Sequence, residues 1–323
     1  MIPHDDALII NHPDTGFISV AGEDSCAFLQ SIVTANVDTL PVTECRPSAL
    51  LTPQGRVLID MMVYRPATDR FILRSDSKRR DDLFARLRRY RLRRPIEIAT
   101  EPDVKLFLVI ENKDATQSGK QTPGHKLDQL ENSEDIIISC IDSRNPDLGT
   151  HILANGVKIT VAVDQIDIWH TTRIAAGIPE GAIDLTPERA LMLEAGLDQL
   201  GAVDFEKGCY VGQEVTARTH YRGLVKRRLV PIAITGTPPI VNSNIIWNEK
   251  VIGNSKTAAP HDNGMAICLA LLKLSDIHAI LDGGNYNNGD LAVNGNPASL
   301  AIPDWMMPLP SPSKQQAKES QKI

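Results

Sequence analysis

Within eight residues, KGCYVGQE (207 to 214) sets an ammonium, a thiol, an amide and a carboxylate around two glycines. A thiol acts as a nucleophile or soft ligand in its thiolate form, which a neighbouring cation or helix start favours. Lys207 stands two residues before Cys209. The periodicity of VGQEVTAR predicts a helix from about Val211, whose free backbone N–H groups would face back toward Cys209. Gly208 and Gly212 suit a tight loop that lets backbone approach a ligand. A plainer reading stands beside this one. Free cysteine is commonly a small buried hydrophobe, and Gln213 and Glu214 beside a glycine loop can simply cap a helix.

The elements that must position this stretch come from both sides of it. FISV (17 to 20) reads as a strand, and AFLQSIV follows as a helix with Phe28, Leu29, Ile32 and Val33 on one face. SALLTPQGRVLIDMMVYR reads as a hairpin about a PQG turn, and RFILRS adds a strand. Residues 78 to 94 place Leu83, Phe84, Leu87 and Tyr90 at helical spacing among many arginines. Clustered arginine is the electrostatic footprint of phosphate binding. Here Asp81 and Asp82 interrupt the run and the apolar face is intact, so a solvated helix face is expected and direct nucleic-acid binding is not. KLFLVI, IIISCID and THILA read as strands, with a mobile polar loop over 111 to 134, and VDQIDIWHTTRIAAGI as a helix closed by Gly177, on which His170 is a capping or core residue. After Arg228 short strand-like runs separated by Pro, Asn and Gly turns suggest a small β-barrel or sandwich. PLPSPSKQQAKESQKI at the end has no apolar periodicity and is expected to be disordered.

The whole chain narrows the function classes. At 323 residues it exceeds the usual size of a single core. A net charge of -6 and 4% aromatic residues speak against a polyanion or single-strand binder. The five cysteines are scattered, with no CxxC pair, which suits free thiols in a reducing compartment and offers no zinc site. The N-terminal residues lack a signal-peptide core and the Arg-rich, acid-poor bias of an organelle presequence, so a cytoplasmic location is expected. No apolar run is long enough to span a membrane.

KGCYVGQE, preceded by LEAGLDQLGAVDF and with FLQSIVTANVDTL and ALLTPQGRVLID upstream, resembles the YgfZ family of folate-binding proteins. AAGIPEGAIDL and TARTHYRG are especially similar to the branch that holds the mitochondrial factor acting late in 4Fe–4S protein assembly. The resemblance implies a relative of the glycine-cleavage T-protein, an α+β fold with two intertwined folate-binding subdomains over 1–230, a C-terminal β-barrel over 231–307 and a tail over 308–323. It implies tetrahydrofolate as ligand, no stable metal, and iron–sulfur scaffold or carrier proteins and 4Fe–4S client enzymes as partners, including enzymes that modify tRNA. Cys209 and Lys207 correspond to the functional pair of the family. Lys207, Gly208, Tyr210, Gly212, Gln213, Glu214 and Arg218 would form the ligand loop, with Asp60 on the pterin side. Arg173 would close an ion pair or grip a folate carboxylate bidentately. Aminomethyl transfer is disfavoured: where the transferases carry an RLEAG-like segment with a pterin-binding glutamate, RIAAG places Ala175, only Asp60 remains of their paired acids, and Cys209 and Tyr210 replace an Asp-Phe pair. A tetrahydrofolate-dependent aminomethyl or one-carbon transferase is the alternative reading, with an RNA-binding protein related to tRNA modification as a third.

Overall fold

A computed structural model of the chain describes residues 7–111, 134–156, 166–282 and 291–311. They fall into two compact units. The first holds residues 1–50, 59–169 and 200–210, and the second 51–58, 170–199 and 211–323.

The first unit carries two antiparallel sheets. One has five strands in the order β3-β4-β5-β2-β6: β2 (Thr15–Ala21), β3 (Cys45–Leu51), β4 (Val57–Ala67), β5 (Arg70–Asp76) and β6 (Glu97–Thr100). The other has four in the order β1-β7-β9-β8: β1 (Ala7–Asn11), β7 (Val104–Glu111), β8 (Ile136–Ile141) and β9 (Thr150–Asn155). Phe17, Ile18 and Val20 of β2 are buried although successive side chains point to opposite faces, so this strand is covered on both sides. Its partner β5 meets it in register from Thr15 opposite Asp76 to Ala21 opposite Arg70.

Two helices flank these strands in sequence. The first, α1 (Ser25–Gln30), is shorter than its apolar pattern predicts; residues 31 to 33 continue it only as a hydrogen-bonded turn onto Phe28 and Leu29. The second, α2 (Arg80–Arg91), buries Leu83 and Leu87, with Asp81 and Asp82 in its first turn and Arg88, Arg89 and Arg91 in its last, the arrangement that complements the helix dipole. Asp82 takes Arg79 at 2.9 Å and Arg86 at 2.7 Å, and Arg88 lies over the Phe84 ring, so much of the arginine run is engaged locally.

The helix α3 (Ile166–Ala175) carries the chain into the second unit. It closes at Gly177 with the paired bonds Ile178 N–H to Arg173 and Gly177 N–H to Ile174, a Schellman ending. There follow α4 (Gly181–Asp184), a run of turns to residue 199, and α5 (Gln213–Tyr221). The helix expected from Val211 starts two residues later because Gly212, at φ 85°, is left-handed and caps it. A closed barrel follows in the order β10-β13-β12-β11-β14-β15, from β10 (Arg227–Thr235), β11 (Asn244–Trp247), β12 (Lys250–His261), β13 (Met265–Lys273), β14 (Leu291–Val293) and β15 (Asn296–Leu300). Between β13 and β14 lies α6 (Leu274–Asp282). Closure is made where Ile232 of β10 pairs Leu300 of β15.

The polar loop expected over 111 to 134 lies, from residue 112 to 133, outside the described residues, as do residues 312–323 of the expected tail. Within residues 308 to 311, Leu309 is buried and His278 Nε2 donates to the Pro310 carbonyl at 3.1 Å, while Pro308 and Ser311 are exposed. Among the described residues no helix is long and apolar enough to cross a membrane.

Candidate functional site

In the first unit, residues 202 to 210 lie against the turn that follows α1. Thr34 Oγ1 donates to the Ala202 carbonyl, the Asp204 N–H returns a bond to the Thr34 carbonyl, and Asn36 Nδ2 donates to Asp204 Oδ2 at 3.0 Å. Asp204 Oδ1 also accepts from the Glu206 N–H at 2.7 Å. Lys207 then reaches down, its Nζ donating to the carbonyls of Val33 and Ala35 at 2.6 Å each. Ions and carbonyls at this separation form strong, charge-assisted bonds. Burial pushes Lys207 down to about 8, against the pull of Asp204 and Cys26.

Beyond Lys207 the chain turns outward and back. Gly208 is left-handed, Cys209 is exposed, and Tyr210 is buried with its ring 5.3 Å from Lys207 Nζ. Burial, with help from Asp204, pushes the Tyr210 phenol up to about 12, and its hydroxyl has no hydrogen-bond partner among the described residues. Cys209 is therefore presented to solvent between two anchored neighbours. The sequence suggested Lys207 as the cation that steadies a Cys209 thiolate; its bonds go instead to the backbone of the 33 to 35 turn, and its electrostatic partners are Asp204 and Cys26. Asp60 sits half-buried on β4. The TAN triplet inside FLQSIVTANVDTL was the available signal for Thr34 and Asn36, which sequence reasoning passed over.

The rest of the signature belongs to the second unit. A Cβ on Gly212 would fall 2.5 Å from the Thr52 carbonyl oxygen and 3.2 Å from Gly55 Cα, so the PQG turn packs directly on the start of α5. Thr216 is buried there and donates to the Gly212 carbonyl, whereas Glu214 and Arg218 are exposed and Gln213 half-buried. Arg173 is only 2% exposed. Its Nη1 donates to Asp184 at 2.7 Å and to the Ile178 carbonyl at 3.1 Å, so of its two expected roles it takes the ion pair and does not line the cavity described next.

That cavity, of about 860 Å³, opens in the second unit between the 184–195 turns and the barrel strands. Six cations line it, Arg56, Arg189, Lys226, Arg227, Lys256 and Lys273, against two carboxylates, Asp184 and Glu194. Asp184 is already neutralised by Arg173, so the lining carries a clear positive excess. Burial pushes Glu194 upward against the pull of Arg227 and Arg56, and lowers Lys256 despite Asp184. Besides RIAAG, which places Ala175, the chain has LEAG at 193 to 196, and its glutamate, Glu194, lines the cavity. Among the described residues no group of three or more His, Cys, Asp or Glu is arranged to hold a metal ion.

The model of the GCVT N-terminal domain matches residues 4–107. The chain is 33% identical over 246 residues to the iron-sulfur cluster assembly factor IBA57 homolog, mitochondrial, of Mycosarcoma maydis, covering 70% of this chain and 58% of that protein. It is 28% identical over 306 residues to the human iron-sulfur cluster assembly factor IBA57, mitochondrial, covering 89% and 82%. The chain spans less than two thirds of the length of the fungal relatives. The crystal structure of glycine cleavage system aminomethyltransferase T from Bartonella henselae superposes with a TM-score of 0.63 at 15% identity, over 84% of this chain and 80% of that one, which shows a shared fold. The relatives' names correct the cytoplasmic expectation, since they point to mitochondria; the N-terminal composition on which that expectation rested is no guide here. The GCVT match, the aminomethyltransferase fold and these relatives together make the chain similar to the T-protein-like proteins, on the side of the IBA57 assembly factors.

Proposed function

We propose that the chain is a folate-binding accessory protein for the assembly or maintenance of 4Fe–4S enzymes, with Cys209 as its working thiol. The observation that carries the reading is the exposed Cys209 held between half-buried Lys207 and buried Tyr210, in a chain whose relatives are named iron-sulfur cluster assembly factors. One thiolate cannot complete a four-thiolate cluster site, so Cys209 acts with thiols of a scaffold, carrier or client protein, either as a transient ligand to the cluster being delivered or by thiol exchange. As in the YgfZ family, the clients would include enzymes that modify tRNA.

The cavity of the second unit suits a folate. Its volume lies in the range of small-molecule sites. Glu194 offers an acceptor for the N–H donors of a pterin, while Arg227, Lys256 and their neighbours offer cations for the glutamate carboxylates. A bound reduced folate would supply a one-carbon carrier and a mild reductant. Glu194 also restores weight to the alternative reading, a tetrahydrofolate-dependent one-carbon transferase, because it provides the carboxylate that RIAAG lacks. Turnover with aminomethyl donors would separate that enzyme from an accessory factor.

Two measurements test the proposal. Cys209→Ala, expressed at normal level in cells lacking the protein, should leave 4Fe–4S enzyme activities low while the purified variant unfolds like the wild type; full complementation would sink the role of the thiol. Tetrahydrofolate titrated into the wild type should bind saturably, and Glu194→Gln and Arg227→Ala should each weaken it, by about tenfold if one charge-assisted hydrogen bond is lost. Absence of saturable binding removes the folate part and leaves the thiol part standing.

A further inference from the structure

Away from the signature, the first unit buries a second, unassigned set of reactive groups. Cys45 opens β3, an edge strand of the five-stranded sheet, and Cys140 lies on β8, an edge strand of the four-stranded sheet. The two thiols lie close enough to shift each other's acidity, and Cys45 Sγ donates to the Ile141 carbonyl of the same strand as Cys140 at 3.4 Å. His151 of β9 stands opposite Cys140 in the ladder and lies near enough to Cys45 to favour its thiolate. Behind the imidazole, Asp142 takes Nε2 at 3.0 Å and Tyr64 OH meets Nδ1 at 2.8 Å, while Arg144 grips the Asp142 carboxylate.

This arrangement assigns unequal parts to two cysteines. The Cys140 thiol, then His151, pulls Cys45 down, and the contact between the thiols pushes Cys140 up. Burial opposes a charged His151, but Asp142 outweighs it and raises the group. Asp142 can only accept, so Nε2 holds a proton; Nδ1 faces the Tyr64 hydroxyl, which can donate or accept, so the ring can take the proton that Cys45 sheds once that hydroxyl turns to accept. Cys45 is 2% exposed and Cys140 8%, yet the next residue, Ile141, is 62% exposed, so the pair lies just beneath the surface.

We propose that Cys45 and Cys140 are a peroxide-reactive dithiol that closes reversibly into a disulfide joining the edges of the two sheets. The Cys45 thiolate attacks one oxygen of a hydroperoxide and the O–O bond breaks. Cys45 becomes a sulfenic acid, and the departing hydroxide, or alkoxide, takes the proton held by His151 and leaves as water or an alcohol. The Cys140 thiol then attacks the Cys45 sulfur, forming the S–S bond, and its proton and the sulfenic hydroxyl leave as a second water. In sum two thiols are oxidised by two electrons and one peroxide is reduced. A small thiol such as dithiothreitol reverses the bond by exchange.

The test uses the full-length protein, reduced, then treated with a few equivalents of hydrogen peroxide, alkylated under denaturing conditions and mapped by peptide mass spectrometry. A linked Cys45–Cys140 peptide is expected, lost again on treatment with dithiothreitol, while Cys268 stays free; burial pushes that thiol up to about 12, which makes it an internal control. In Cys140→Ser the linked peptide should vanish and Cys45 should instead be captured by dimedone as a sulfenic acid. Recovery of both Cys45 and Cys140 as free thiols from the wild type while Cys209 is oxidised overturns the proposal, as does Cys45 joined to any other cysteine. The wild-type map alone decides the matter if the variant does not fold.

Discussion

Replacing each glycine of the signature by alanine separates two energies that the sequence cannot tell apart. Gly208 and Gly212 are both left-handed, at φ 96° and 85°. Holding an L-residue there costs about 1–2 kcal/mol in either position. At Gly208 an added Cβ meets nothing within 4 Å, whereas at Gly212 it lands 2.5 Å from the Thr52 carbonyl oxygen and 3.0 Å from Leu51 Cβ. A backbone oxygen cannot rotate away, so the turn must move by roughly 1 Å to reach ordinary contact. Overpacking of this kind costs a further 1–3 kcal/mol or so. Gly212→Ala should therefore lose about 2–5 kcal/mol and Gly208→Ala about 1–2 kcal/mol. Urea unfolding followed by tryptophan fluorescence is suited to the comparison, because Trp247 and Trp305 report on the second unit and Trp169 on the first. Equal losses for the two variants would refute the packing of the PQG turn on the start of α5.

Removing Arg173 as Arg173→Ala leaves Asp184 buried without its cation and should cost about 3–5 kcal/mol in thermal or urea unfolding; a loss below about 1 kcal/mol would mean the pair is solvated. Lys207 gives a pH signature. Its folded value of about 8 lies below the ordinary 10.5, so between them the unfolded chain holds the proton that the folded chain has released. Stability should rise with pH across that window and take no slope from this group below it, where both states hold the proton. The rise is at most about 3 kcal/mol, reduced by partial exposure and by the two carbonyls that favour the ammonium. Lys207→Met should flatten the slope in urea unfolding series, and an unchanged slope would assign it to another group.

Local patterns in the sequence carry much of the architecture. The short apolar run in RFILRS and the PQG turn foretell β5 and the β3–β4 hairpin, since apolar runs and turn chemistry are properties of adjacent residues. Barrel closure is different: Ile232 meets Leu300 across most of the C-terminal segment, and no local run distinguishes a barrel from a sandwich. The same holds for chemistry. KGCYVGQE stands out because its residues are contiguous. Asp142, His151, Tyr64 and Cys45 come from three different stretches, and only strand register brings them together. Lys207 shows a second limit, for its type suggests a thiol activator while its reach to Val33 and Ala35 makes it a backbone anchor.

Each compact unit is assembled from three separate stretches of chain, so the polypeptide passes from one to the other five times between its ends. Synthesis from the N-terminus therefore cannot finish the first unit until residues 200–210 have emerged, because Lys207 and Asp204 close the turn after α1. The 51–58 turn must meanwhile wait for α5 to cover it. Contacts of such long separation make for slow folding with exposed intermediates. Truncation at any point before residue 210 leaves both units incomplete, and the Cys209 loop is among the last parts of the first unit to take shape.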